Sequence, residues 1–275
     1  MAREPFGPVV VGVDASTSMA AVVLAAEEAL ARVAPLIVFN AHDGNALDAS
    51  AGRRLVEVAA ARARAEHPGL SVAAASVCGD PVNELIAVTY DASLVVLGRP
   101  NRRGSAGMPV TSVVGGVVRR SAVPVLLHAP LDHSGVPAVP RPVVLGVGGS
   151  PASDAAAEFA FGEAALRGVA LHAVYVWSAD SDSAPIWMPA DSRRLALARE
   201  NAEFALDDML TRWMEKYPEV RVRRALRHGL DVPVALTAAS RAGQLLVVGA
   251  HHQTSPLIEA LVHRTGCPIA LVPAN

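Results

Sequence analysis

The chain has 275 residues, is 52% hydrophobic and 18% charged, and carries a formal net charge of −2. That length suits two domains of about 100–150 residues, with apolar material for two cores. Near-neutral charge, 4% aromatics and arginines scattered in pairs exclude a broad nucleic-acid surface and an anionic-membrane surface. Lys216 is the single lysine, which excludes a Gly-Lys-[Ser/Thr] phosphate loop and makes Schiff-base chemistry an unsuitable reading. Cys78 and Cys267 stand in different halves without a CxxC pair, so a reducing cytoplasm is expected, with both thiols as small buried hydrophobes. The opening MAREPFGP lacks the apolar core of a signal peptide, and no apolar run reaches the ~18 residues of a membrane span, so the expectation is a soluble cytoplasmic protein.

In chain order, residues 8–14 form a near-continuous apolar run, as expected of a strand buried on both faces of a parallel sheet. A helix is predicted over 18–33, a strand over 35–40, a long helix over 46–66 stopped by Pro68-Gly69, and a strand over 71–77. Gly79-Asp80-Pro81 reads as a turn, an N-cap acid and a first-turn proline, opening a helix that runs to residue 91. A strand over 94–98, a glycine- and arginine-containing loop over 99–110, a helix over 112–121 and a strand over 123–128 complete the first half. Residues 129–141 hold three prolines and a glycine without periodicity, and read as a stiff linker. The second half repeats the order, with strands at 142–147, 169–177, 220–227, 245–249 and 267–272 and helices at 153–167, 190–217, 232–241 and 257–264. Strict alternation predicts α/β architecture, a parallel sheet with helices on both faces and right-handed crossovers. The expected domains are 1–128 and 142–275.

VVVGVDAS at 9–16 and VVLGVGGS at 143–150 mark the chain as a tandem duplication. Asp14 in one copy faces Gly148 in the other. In doubly wound sheets ligands bind beyond the carboxyl ends of the strands where strand order reverses, so the candidate site joins Asp14 to the loop after residue 98. That loop begins at Gly98 and ends at Ser112, before a helix whose N-terminus favours an anion. Asp14 as a local capping acid is the alternative.

The opening VVVGVDAS, the loop from Gly98 to Ser112 and the closing SVVGGVVRRSAVPV resemble the universal stress protein family, in a tandem two-domain form covering almost the whole chain. ATP-binding members carry Gly-x2-Gly-x9-Gly-[Ser/Thr] after strand four. Here Gly98 and Ser112 hold the first and last positions, with Asn101 and Thr111 in place of the other two glycines. The resemblance implies two flavodoxin-like (adenine-nucleotide alpha-hydrolase-like) domains with strand order 3-2-1-4-5, paired through strand five as a pseudo-dimer, with homodimerisation expected. It also implies ATP, with Mg2+ accompanying it, at Gly12, Val13, Asp14, Ala41, Gly98, Asn101, Thr111, Ser112 and Val113 of the first half. Asn101 tolerates left-handed backbone, whereas Thr111 is β-branched and bulkier beside a phosphate. Arg99, Arg102 and Arg103 are candidates for charge-assisted phosphate contacts, or solvated loop arginines.

In the second half, Gly12 pairs with Gly146 (146 − 12 = 134), Gly98 with Gly249 (249 − 98 = 151) and Pro124 with Pro268 (268 − 124 = 144). The fall from 151 to 144 places a seven-residue deletion where the phosphate loop stood. The second domain is therefore expected to be a degenerate, partner-binding or structural copy. Gly146-Val-Gly148-Gly-Ser-Pro151 lacks the third glycine and the acid of a dinucleotide fingerprint, and His251, His252 and His263 lack companion ligands for a metal. The expected function is a non-enzymatic stress-response regulator with an unidentified protein partner. A slow ATP-hydrolysing switch and a ligand-free interaction module remain as alternatives.

Overall fold

The structure, a computed structural model, describes residues 7–17, 19–42, 44, 46–99, 113–128, 140–148, 151–177, 192–229, 231–250 and 256–274. The first half runs β1 (Val9–Gly12), α1 (Met19–Ala31), β2 (Leu36–His42), α2 (Ala46–Glu66), β3 (Val72–Cys78), α3 (Pro81–Val88), β4 (Leu94–Gly98), α4 (Val113–Arg120) and β5 (Val125–His128). The second runs β6 (Val143–Val147), α5 (Pro151–Arg167), β7 (Leu171–Trp177), α6 (Ser192–Lys216), β8 (Val222–His228), α7 (Val232–Ser240), β9 (Leu245–Ala250), α8 (Pro256–Arg264) and β10 (Ile269–Pro273).

The strands form one sheet in the order β3-β2-β1-β4-β5-β10-β9-β6-β7-β8. Each half is parallel and keeps the expected 3-2-1-4-5 order. The halves join where β5 and β10 run antiparallel, with Ile269 opposite Leu127 and Leu271 opposite Val125. The two β-edges of the copies are thereby consumed against each other, leaving β3 and β8 as the free edges.

Burial on both faces explains the unbroken apolar runs. Val9, Val11, Leu36 and Val38 pack toward α1 and α2, while Val10, Val95 and Leu97 pack toward α3 and α4. Each of these cores continues into the second half, where Phe161 on α5 is fully buried and stacks on Tyr217 at a centroid distance of 6.0 Å.

α1 and α5 meet through buried charge. Arg32 donates to Glu28 and Glu163, and Arg167 pairs with the same two carboxylates, at 2.8 Å from Glu163. Glu28, Arg32 and Glu163 are 1%, 5% and 2% exposed, so the two halves share one closed charge square. Burial, then the neighbouring Glu28, pushes the Glu163 carboxyl up, and the two guanidiniums oppose that shift.

Strand ends depart from the sequence reading where proline intervenes. The ladders of β5 and β10 begin after Pro124 and Pro268, which accept from Val95 N and Leu246 N but have no N–H to donate. Asp80 caps α3 as expected, its Oδ1 accepting from Asn83 N at 2.9 Å, with Pro81 in the first turn. The expectation for Cys78 is overturned: it is exposed, because β3 is an edge strand covered less completely at its end. Cys267 is buried, and burial pushes its thiol up to about 12. Among the described residues no helix is long and apolar enough to cross a membrane.

Candidate functional site

β1 ends at Gly12, opposite Leu97 of β4, so the chain after β1 leaves the sheet beside the chain after β4. The following turn is tied by its own side chains. Asp14 Oδ1 accepts from Ser16 N at 2.8 Å, Ser16 Oγ at 2.7 Å and Thr17 Oγ1 at 2.9 Å. Thr17 Oγ1 in turn accepts from Asp14 N at 2.9 Å, and Thr17 N donates to Asp14 O at 3.0 Å. This is the Asx-type turn that the sequence Asp-x-Ser-Thr favours. Partial burial pushes the Asp14 carboxyl up, but the bonds from Ser16 and Thr17 outweigh it and hold the group below the ordinary carboxylate range. An ionised, oriented carboxylate therefore stands at the carboxyl edge of β1.

Val13, buried just before it, is fixed from β2. Val13 N donates to Phe39 O at 2.8 Å, and Asn40 Nδ2 donates to Val13 O at 2.8 Å. Asn40 is itself only 8% exposed, and its Oδ1 accepts from Ser76 Oγ at 3.3 Å. α2 crosses above this pair at Gly52, where an added Cβ would lie 2.5 Å from both Asn40 Oδ1 and Ser76 Oγ. Between the Asp14 turn, the end of β2 and α2 lies an open cleft of ≈ 490 Å³, walled by Asp14, Asn40, His42, Arg54, Leu55 and Val58. Thr17, Asn40, Ser76 and the α2 wall were not among the residues singled out from sequence. Only the Asp-x-Ser-Thr turn carried a local signal for any of them.

The expected site residues divide into several groups. Gly12, Val13, Asp14 and Gly98 come together at one end of the sheet, and a Cβ on Gly98 would lie 3.6 Å from Thr17 Cγ2, ordinary contact with the Asp14 turn. Ala41, next to last in β2, lies nearby but packs toward α3, on the sheet face opposite Asn40 and His42. Val113 opens α4, one residue after the expected start. Arg99 extends across the seam, its Nη1 donating to Thr265 O at 3.1 Å and Thr265 Oγ1 at 3.2 Å in the second half. That engagement ties the residue after Gly98 to the second half. Asn101, Arg102, Arg103, Thr111 and Ser112 lie outside the described residues, as do His251 and His252.

The corresponding edge of the second half is closed. α5 begins at Pro151, two residues earlier relative to its strand than α1 does, and its first turn rests on the end of β9. A Cβ on Gly249 would lie 2.5 Å from Ala152 O and 2.6 Å from Ala152 C. A Cβ on Gly148, in the position of Asp14, would be 3.1 Å from Ser153 Oγ. Tyr175, Leu226 and Trp177 stand in the register positions of Asn40, Ser76 and His42, so the polar tie of the first half has no counterpart.

The model of the universal stress protein family matches twice, over residues 5–128 and 140–273. The chain belongs to the universal stress protein family. It is a tandem member, with one match on each side of the proline-rich stretch. Universal stress protein Rv2005c of Mycobacterium tuberculosis is 36% identical over 185 residues, covering 66% of this chain and 60% of the relative. Universal stress protein Rv1996 of the same organism is 36% identical over 181 residues, covering 63% and 54%. The matched region thus spans 60% or less of these curated relatives' length. A universal stress protein from Archaeoglobus fulgidus superposes with a TM-score of 0.66 at 18% identity, covering 98% of this chain and 96% of that one, which shows the shared fold.

Proposed function

We propose that this universal stress protein is a nucleotide-responsive, non-enzymatic regulator that holds one adenine nucleotide, in its first half only. The supporting observation is the asymmetry of the two carboxyl edges: the Asp14 turn and Gly98 meet at ordinary contact distance beside an open cleft, whereas Ala152 is packed onto Gly249. The cleft is of a size for a base and sugar. In this reading Asp14 accepts from a ribose hydroxyl, Gly12 and Val13 line the approach, Ala41 backs it from the α3 face of the sheet, and the Gly98–Val113 loop holds the phosphates with Asn101, Arg102, Thr111 and Ser112. Arg99 contributes by fixing the start of that loop to Thr265. Among the described residues no group of three or more His, Cys, Asp or Glu is gathered, so Mg2+ would be carried in by the nucleotide phosphates.

Calorimetric titration with ATP tests this on the wild type and on Asp14→Ala. Saturable binding that weakens in the variant supports the site. Absence of heat from the wild type refutes it in favour of a ligand-free module, and release of phosphate on the titration timescale favours the slow ATP-hydrolysing switch.

A further inference from the structure

A second cleft, ≈ 980 Å³, lies at the opposite end of the second half, under the amino ends of β6, β7 and β8. Arg141 precedes β6, His172 lies on β7, and Arg221 and Arg223 belong to the edge formed by β8, and all four line the cleft. Among the described residues Glu219 is the single carboxylate in its lining. Among the described residues none of Arg141, Arg221 and Arg223 is ion-paired, although Arg224, pointing the other way from β8, pairs with Asp207 at 2.9 Å. Burial, then Arg227 and Arg223, pushes the His172 imidazole down, so it enters as a neutral hydrogen-bonding group at neutral pH.

The first half provides an internal comparison. The ladders pair Leu36 with Val72 and Leu171 with Val222, which places Ile37 where His172 stands, and Ser71 and Ala73 where Arg221 and Arg223 stand. Gly7 holds the position of Arg141, two residues before β1 as Arg141 is before β6. The fold therefore needs no cation at any of the four positions. Arginine on an edge strand guards against edge-to-edge pairing. That role does not extend to Arg141, just before the interior strand β6, or to His172, on the interior strand β7, which line the same cleft. Gln244 fixes the backbone there, its Nε2 donating to Arg141 O and its N to Pro142 O at 3.0 Å.

We propose that this cleft is an anion site for a small, multiply charged phosphoryl compound, held by Arg141, Arg221 and Arg223 with His172 as a hydrogen-bonding partner. Three guanidiniums lining one cleft suit several phosphoryl oxygens at once. Glu219 at the rim supplies an acceptor for a hydroxyl or amine on the organic part of the ligand.

Inorganic triphosphate is the probe, titrated into the full chain while the imidazole resonances of His172 are followed by NMR, assigned by their loss in His172→Gln. The His172 signals are expected to shift saturably in the wild type. The double variant Arg221→Ala/Arg223→Ala, at two exposed positions, is expected to weaken that response at least about tenfold. An unchanged unfolding midpoint in that variant shows that it is folded. His172 signals unmoved at millimolar triphosphate, or moved equally in the double variant, overturn the proposal. Asp14→Ala leaves the His172 response intact, so failure at this cleft and failure at the nucleotide edge are read separately.

Discussion

Replacing one glycine in each half by alanine isolates the asymmetry on which the nucleotide reading rests. Gly98 ends the fourth strand of the first half, and Gly249 is the next-to-last residue of its counterpart in the second. In Gly98→Ala the new methyl meets nothing closer than Thr17 Cγ2 at 3.6 Å, an ordinary contact. Its effect is then mostly the loss of unfolded-state freedom, a gain of about 0.4–1 kcal/mol at most. In Gly249→Ala the methyl falls 2.5 Å from Ala152 O and 2.6 Å from Ala152 C. Those atoms are backbone, so the first turn of α5 must move, at a cost of about 1–3 kcal/mol. Urea unfolding of both variants measures the difference, and thermal midpoints separate by about 2–4 °C per kcal/mol. Equal effects in the two variants would refute the reasoning: α5 would not be seated on β9, and the second edge would be as open as the first.

Other expectations follow from single features. Val33 adopts φ +54 where the second half has Gly168 at φ +63, and its side chain is 83% exposed. Val33→Gly therefore relieves left-handed strain of about 1–2 kcal/mol against a glycine entropy cost of about 0.5–1 kcal/mol, so a small net rise in stability by urea unfolding is expected. Arg32→Met removes one corner of the buried square that joins α1 to α5, and a loss of about 3–5 kcal/mol in the same assay is expected. Asp80→Ala removes the α3 cap and should cost about 1 kcal/mol. The Asp14 carboxyl, followed by NMR, should titrate below an unfolded-chain aspartate. Because its folded value is the lower one, its contribution to stability is complete above the unfolded value and disappears as pH falls through the folded one.

Much of the fold was legible because the signals were local. Apolar runs such as Val9–Gly12 fit a strand covered on both faces, and Asp80-Pro81 carried its own cap. α2 and β4 fell on the predicted residues, and the duplication gave the order of every element. Three features lay beyond that reach. The union of both sheets through β5 and β10 follows from the family resemblance, since nothing in either strand specifies an antiparallel partner. The charge square joins residues 131 or more apart in sequence, and helical glutamates and arginines read locally as solvated i,i+4 pairs. Within the site, Asp14 and Gly98 were visible as an acid and a glycine at strand ends. Asn40, Ser76 and Gly52 were not, because their role is a three-way contact between β2, β3 and α2. The bonds from Arg99 to Thr265 were not legible either, because they join residues 166 apart in sequence.

Photolabelling with 8-azido-ATP, followed by mass spectrometry of the labelled peptides, locates the nucleotide most directly. The asymmetry of the two edges predicts label, competed by ATP, in first-half peptides around Asp14–Thr17, Asn40–His42 or α2. Competed label in peptides around Gly148 or Gly249, or no competed label at all, would contradict it.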